Sequence, residues 1–174
     1  MTYDEHGKTS EKCYSGGTVS MSAAQTASIF NNNAMTIAFW IKTVNSSSST
    51  PIFGNSNMDA NNNRKFNIWQ CPTAQDLHWS WMNDAANSAG VFASDTITGG
   101  LPADKWVHVC FTYNNPTLRV YLNGVLKKTQ SNVVSNSVSF AYATPLIHAS
   151  TLRYINDLRV YDHCLSTNEV KTLS

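Results

Sequence analysis

The chain has 174 residues and a formal net charge of +1, and only 13% of its residues are charged, against roughly 25% in an ordinary soluble domain. This length suits about one domain with a sizeable core, and the near-neutral balance gives nucleic acid or an anionic membrane little to attract. No run approaches the roughly 20 apolar residues of a membrane span. The polar surface must come from uncharged residues instead, as in Asn31 to Asn33, Ser46 to Thr50 and Asn61 to Asn63.

Met1 to His6 are polar and acidic with no secretory leader legible, so residues 1–12 read as an arm or leader ahead of a single domain over 13–174. Strands are expected at Thr18–Met21, Thr36–Thr43, Pro51–Gly54, Lys65–Cys71 and Leu77–Met82, with loops rich in Gly, Asn and Ser between them. Trp106 to Leu122 is the clearest stretch. Val107, Val109, Phe111 and Tyr113 alternate with Trp106, His108, Cys110 and Thr112, which gives one apolar side to a strand. Asn114-Asn115-Pro116 breaks it, and Leu118, Val120 and Leu122 resume the alternation up to Asn123-Gly124, a tight turn of the kind that needs positive φ. Further strands are expected at Ser139–Tyr142 and Tyr154–Tyr161, followed by a helical turn over Ser166–Leu173 in which Ser166 caps, Glu169 lies three residues on, and Val170 and Leu173 share a face. Half-buried strands of this kind need a second apolar layer, so the fold expected is all-β: an antiparallel sandwich with Ile37, Phe39, Ile41, Val109, Phe111, Val120 and Leu122 between the sheets.

The motifs resemble those of the concanavalin A-like, laminin-G-like and pentraxin-like jelly-roll domains. Trp106 to Gly124 is similar to the family's Trp-x-His-Val-x-x-Thr-Tyr strand and its partner ending in Asn-Gly. Met35 to Lys42 resembles its Phe-Thr-Ile-Ser-x-Trp-Val-Lys strand, Lys12 to Ser15 the strand upstream, and Ile155 to Val170 its closing signature, with Asn156 where the family often has Asp. The resemblance is weak between about residues 54 and 104. It implies a jelly roll. The Lys12–Ser15 and Tyr161–Ser166 segments also resemble modules of bacteriophage virion proteins and gut-bacterial surface proteins.

Catalysis is not expected. Glycan hydrolases on this sandwich need two carboxylates facing each other across the scissile bond. The glutamates are Glu5, Glu11 and Glu169, and Asp59, Asp76, Asp84, Asp95 and Asp104 fall mostly in expected loops, with no acid pair at strand spacing. There is no Gly-x-Ser-x-Gly and no His-x-x-x-His, and His108 reads as a structural histidine. Cys13, Cys71, Cys110 and Cys164 are irregularly spaced without a Cys-x-x-Cys, so a zinc site is not expected. With no leader visible, they are expected as free thiols of a chain folded in a reducing cytoplasm.

Binding remains. Sugars stack their C–H faces on aromatic rings while amides, carboxylates and guanidinium groups reach the hydroxyls. Residues 61–87 are rich in both, and the candidate glycan site is Trp69, Trp79, Trp81, Arg64, Asn67, Asn83 and Asp84. The alternative is that these rings fill the core, as is expected for Trp40 and Trp106. Relatives in this group often hold calcium at the sandwich rim, for which Asp59 and Asp157 are the candidate ligands, although Asn-rich loops of this kind usually do no more than turn and hydrate. The function expected is non-catalytic recognition or adhesion, with glycan or a host-surface receptor as partner, many copies, and a bacteriophage virion as setting. A purely structural virion or assembly protein binding other subunits, and a secreted calcium-dependent adhesin, are the rival readings.

Overall fold

The computed structural model describes residues 17–20, 22, 24, 33–54, 66–72, 75–81, 93–131, 133, 146–149 and 153–174. Their strands are β1 (Gly17–Ser20), β2 (Ala34–Thr43), β3 (Thr50–Gly54), β4 (Phe66–Cys71), β5 (Asp76–Trp81), β6 (Ala93–Ile97), β7 (Trp106–Asn114), β8 (Thr117–Leu122), β9 (Val125–Gln130), β10 (Leu146–Ala149) and β11 (Arg153–Tyr161), followed by helix α1 (Thr167–Leu173). They form two antiparallel sheets, a six-stranded one in the order β1-β10-β3-β4-β5-β6 and a five-stranded one in the order β11-β2-β7-β8-β9. Consecutive strands β3 to β6 and β7 to β9 are hairpin neighbours, while β2 and β11 meet from opposite ends of the chain, so the sandwich closes late in the sequence.

The alternation sets which residues lie between the sheets. Met35, Ile37, Phe39 and Ile41 of β2, Val107, Val109, Phe111 and Tyr113 of β7, and Leu118, Val120 and Leu122 of β8 all point inward and belong to one buried cluster. From the other sheet, Phe53, Phe66, Ile68, Leu77 and Trp79 meet them. Phe66 and Trp79 each set their ring edge-on to Phe111, at 5.5 and 5.6 Å between centroids. The Asn123-Gly124 turn has φ of 49° and 70°, the two left-handed residues that a two-residue hairpin of type I′ requires.

The outer face of the five-stranded sheet is partly covered by the chain's own end. Ser166 caps α1, with Glu169 N–H donating to its Oγ at 3.3 Å and Ser166 N–H donating back to the Glu169 carboxylate at 2.7 Å. The helix then lays Val170 over Ala38, Cys110, Tyr121 and Leu165, a second small apolar cluster. Thr36 ties the preceding segment down: its Oγ1 donates to the His163 carbonyl and accepts from Leu165 N–H.

Strands β6, β9 and β10 lie where no strand is expected from the sequence. β6 and β9 are sheet edges, and the described side chains of both are exposed or half-buried, so neither carries an alternation to read. β10 is four residues long. The strand expected at Ser139–Tyr142 lies outside the described residues, as does the arm expected at 1–12.

Candidate functional site

Strands β4 and β5 carry most of the expected glycan site, and their register divides it. Leu77 and Trp79 share one side of β5, and Phe66 and Ile68 one side of β4; these four are buried between the sheets. Trp79 is therefore a core residue, not a surface platform. It is 0% exposed, and its Nε1–H donates to Gln130 Oε1 at 2.9 Å, which joins β5 to β9 across the sandwich rim. Beside that bond Lys128 pairs with Asp95 at 3.0 Å, and Gln130 Nε2 donates to the Ser94 carbonyl. Trp81 ends β5 opposite Phe66, and its side chain is not among those described. Asn67 is only 2% exposed, so it too leaves the candidate surface. Arg64, Asn83 and Asp84 lie outside the described residues.

Trp69 sits on the other side of β4, facing outward, and is half-buried. It pairs with His78 across the strands, and the two rings lie 5.4 Å apart at 36°. His78 Nδ1 is 2.9 Å from Thr96 Oγ1 on β6, and Pro51 of β3 lies opposite Trp69 on its other flank. Pro51, Trp69, His78 and Thr96 thus form one row across four adjacent strands. Burial lowers the His78 pKa, with Asp95 opposing, so the ring is held toward its neutral form, able both to donate and to accept. Such a row offers an aromatic plane beside hydroxyl and imidazole groups, which is what an uncharged polyhydroxylated ligand needs. The strand ends Gly54, Phe66, Trp81 and Ala93, from which the segments 55–65 and 82–92 depart, stand together at one end of this sheet.

Trp40 and Trp106 lie on the outer face of the five-stranded sheet rather than between the sheets. The inward positions of their strands are taken by Ile41 and Val107. Trp40 packs against His108, with ring centroids 5.3 Å apart and the planes tilted by 54°. His108 is buried, and its pKa is pushed down to about 4 by that burial, with Asp157 opposing and Arg159 reinforcing. A neutral imidazole packed under an indole has a structural part. Beside this pair, Lys42, Pro102, Asp104, Lys105, Trp106, Val107 and Asn123 line an open hollow of about 430 Å³.

Asp157, the expected calcium ligand, occupies a bulge of β11 at φ 47° and shares both carboxylate oxygens with Arg159, at 2.8 Å each. A cation there would compete with the guanidinium of this exposed ion pair. Among the described residues no three His, Cys, Asp or Glu side chains converge as a metal site, and Asp59 lies outside them. Cys71, Cys110 and Cys164 are free thiols; Cys13 is not among the described residues. No helix among the described residues is long and apolar enough to cross a membrane.

With two stacked antiparallel sheets, an Asn-Gly hairpin and a capped helix closing the outer face, the architecture can be set beside known ones. The sequence profile of the concanavalin A-like lectin/glucanase superfamily matches residues 15–171. The chain belongs to that superfamily. No curated protein matches it in sequence. Among solved structures it is similar to the receptor binding domain of botulinum neurotoxin C/D mosaic serotype, at a TM-score of 0.67 and 16% identity, over 90% of this chain and 39% of that one. It is also similar to the botulinum neurotoxin serotype D ligand binding domain in complex with N-acetylneuraminic acid, at a TM-score of 0.61 and 16% identity, over 80% of this chain and 35% of that one. The binding domain of botulinum neurotoxin DC in complex with rat synaptotagmin II matches at a TM-score of 0.63 and 16% identity, over 90% and 38%. The chain spans well under half the length of these neighbours, and at such identity the likeness is one of fold.

His78, Thr96 and Pro51 were not singled out from the sequence. The signal for them is the hairpin itself: counting outward from the Cys71–Asp76 pair places His78 opposite Trp69.

Proposed function

We propose that this superfamily member is a non-catalytic recognition domain for glycan, and that it binds through the outer face of its six-stranded sheet. The observation that supports the reading is Trp69, the one tryptophan of the expected trio among the described side chains that is half-buried on an outward face, packed beside His78 and in one row with Thr96. Solved neighbours of the same fold that hold a sialic acid or a protein receptor support the choice of recognition as the class. Their matched parts are under two-fifths of their chains, so they lend no position for a ligand here.

The placement of the described acids favours a non-catalytic reading. Asp76 accepts from Gly99 N–H, Asp95 pairs with Lys128, Asp157 with Arg159, Asp162 with His163, and Glu169 closes the helix cap. Asp104 is not among these; it is the one carboxylate lining the hollow beside Trp106, with no second acid facing it there. A single aromatic platform binds weakly, and attachment then depends on many copies acting together. The virion of a bacteriophage, proposed on the resemblance of the closing segment, supplies such an array. A second reading, subunit binding, is favoured by edge strand β9, where Val125 and Leu126 are 54% and 44% exposed.

A glycan array probed with labelled protein, with and without a chelator, tests the proposal. Signal on a subset of glycans that disappears with Trp69→Ala supports it, and signal that survives the chelator sets calcium aside. An empty array, together with concentration-dependent self-association that Leu126→Lys abolishes, would favour subunit binding.

A further inference from the structure

We infer that the hollow beside Trp106 is a second binding site, for a saccharide that carries a carboxylate. It lies on the other sheet from Trp69 and stands independently of that site.

The walls are set by backbone, so the hollow exists before a ligand arrives. The loop leading into β7 is stitched to the end of β2: Asp104 N–H donates to the Thr43 carbonyl at 2.7 Å, and Thr43 Oγ1 donates to the Leu101 carbonyl at 3.2 Å. Asp104 takes φ 60° to make that contact. On the opposite wall, Asn123 is locked into the hairpin turn. Its N–H donates to the His108 carbonyl at 2.9 Å, and its Oδ1 accepts from His108 N–H at 2.8 Å. With the oxygen used, only the carboxamide NH₂ is left to offer a ligand, and it is a donor.

Lys42 faces Trp106 across the β2–β7 pair, and Lys105 precedes Trp106 in the chain. Lys42 is half-buried and Lys105 exposed, and among the described residues neither has an ion-pair partner. Two ammonium groups and one amide donor therefore border a space of about 430 Å³ that has a single carboxylate, Asp104, on its rim. The donors exceed the acceptors, which selects an oxyanion. The size exceeds what a bare anion fills, and Trp106, 7% exposed, shows the hollow only an edge of its ring. Asp104, fixed by its own backbone, is left to accept from a hydroxyl. A uronate or another acidic sugar meets all of these groups at once; a neutral hexose leaves the ammonium groups unanswered.

The test is a titration of the full chain, followed by two-dimensional NMR of the tryptophan indole N–H groups, with glucuronate, methyl glucoside and acetate as separate probes. The expected result is that glucuronate shifts the Trp106 signal saturably, while methyl glucoside and acetate at equal concentration do not. Lys42→Gln and Lys105→Gln should each weaken glucuronate binding about tenfold, the usual effect of losing a charge-assisted hydrogen bond. Both should leave the thermal midpoint unchanged, and added salt should weaken binding in the parent protein. Trp69→Ala should leave glucuronate binding intact even if it removes all neutral-glycan binding, which keeps the two sites separable. Equal binding of methyl glucoside, equal binding of acetate, unaltered affinity in both lysine variants, or loss of glucuronate binding in Trp69→Ala would each overturn the assignment.

Discussion

Replacing Trp79 by alanine separates a core tryptophan from a binding one. The ring is 0% exposed, meets Phe111 edge-on at 5.6 Å, and holds β9 through Gln130. Truncation removes the whole indole from a close-packed interior and leaves a cavity lined by Phe111 and its neighbours. Fully buried aromatic truncations of this kind cost about 3–5 kcal/mol. A single domain has only about 5–15 kcal/mol of stability to lose, so the variant should remain folded at low temperature but melt early. At about 2–4 °C per kcal/mol for a chain of this size, the midpoint should fall by about 6–20 °C. Trp79→Phe keeps an aromatic ring against Phe111 but strands the Gln130 oxygen near the rim, so its cost should be smaller, about 1–3 kcal/mol. Thermal melts by near-ultraviolet circular dichroism read all three proteins. A midpoint for Trp79→Ala within a degree or two of the parent would mean that the ring is not in the core and that the β4–β5 register is wrong.

Trp69→Ala should shift the same midpoint by no more than a few degrees, because its ring is half-buried on an outer face. His108 is held neutral with a pKa near 4, below its ordinary value of about 6.5, so the unfolded chain binds more protons between those values. The stability that this contributes should be complete above about pH 6.5 and fall away as the pH drops toward 4; His108→Gln should flatten melting curves across that window, and a ring titrating near 6.5 by NMR would refute the burial argument. Burial also pushes the Cys110 thiol up to about 12, so native alkylation should label Cys71 and Cys164 first and reach Cys110 only on unfolding. Ser166→Ala removes the helix cap at a cost of about 1 kcal/mol and should speed labelling of Cys110, the thiol beneath α1. At Gly54, φ is 110° and a Cβ would run into the Phe66 carbonyl, so Gly54→Ala should destabilise more than Gly124→Ala, whose added carbon meets the flexible Ser174 hydroxyl.

The parts of the fold legible in the sequence are those where one residue pattern admits one arrangement. β7, β8 and the Asn123-Gly124 turn that follows β8 are readable because a buried face, a polar face and a positive-φ turn coincide within a few residues. The same holds for α1, where Ser166 and Glu169 mark the start and Val170 the covered side. β6 and β9 escaped because edge strands answer to a single neighbour and to water, so Lys127, Lys128 and Thr129 carry no alternation. The site was half legible. Residue types drew attention to Trp69 and Trp79 alike, and parity divides them: the apolar companions of Trp79 are on its own side of the strand, and those of Trp69 are on the opposite side. The hollow beside Trp106 was not legible, because Lys42, Asp104 and Asn123 come together only through the path of the loop into β7 and the closing of the β8–β9 turn.

Glycan binding by the outward Trp69 face is the proposal on which the function rests. Isothermal titration of the parent protein and of Trp69→Ala with a glycan selected on the array measures it directly. The parent should bind weakly and saturably, and the variant should lose about fivefold to tenfold or more, the effect of one stacked ring, with melting midpoints that stay together. Equal affinity in the two proteins would contradict it.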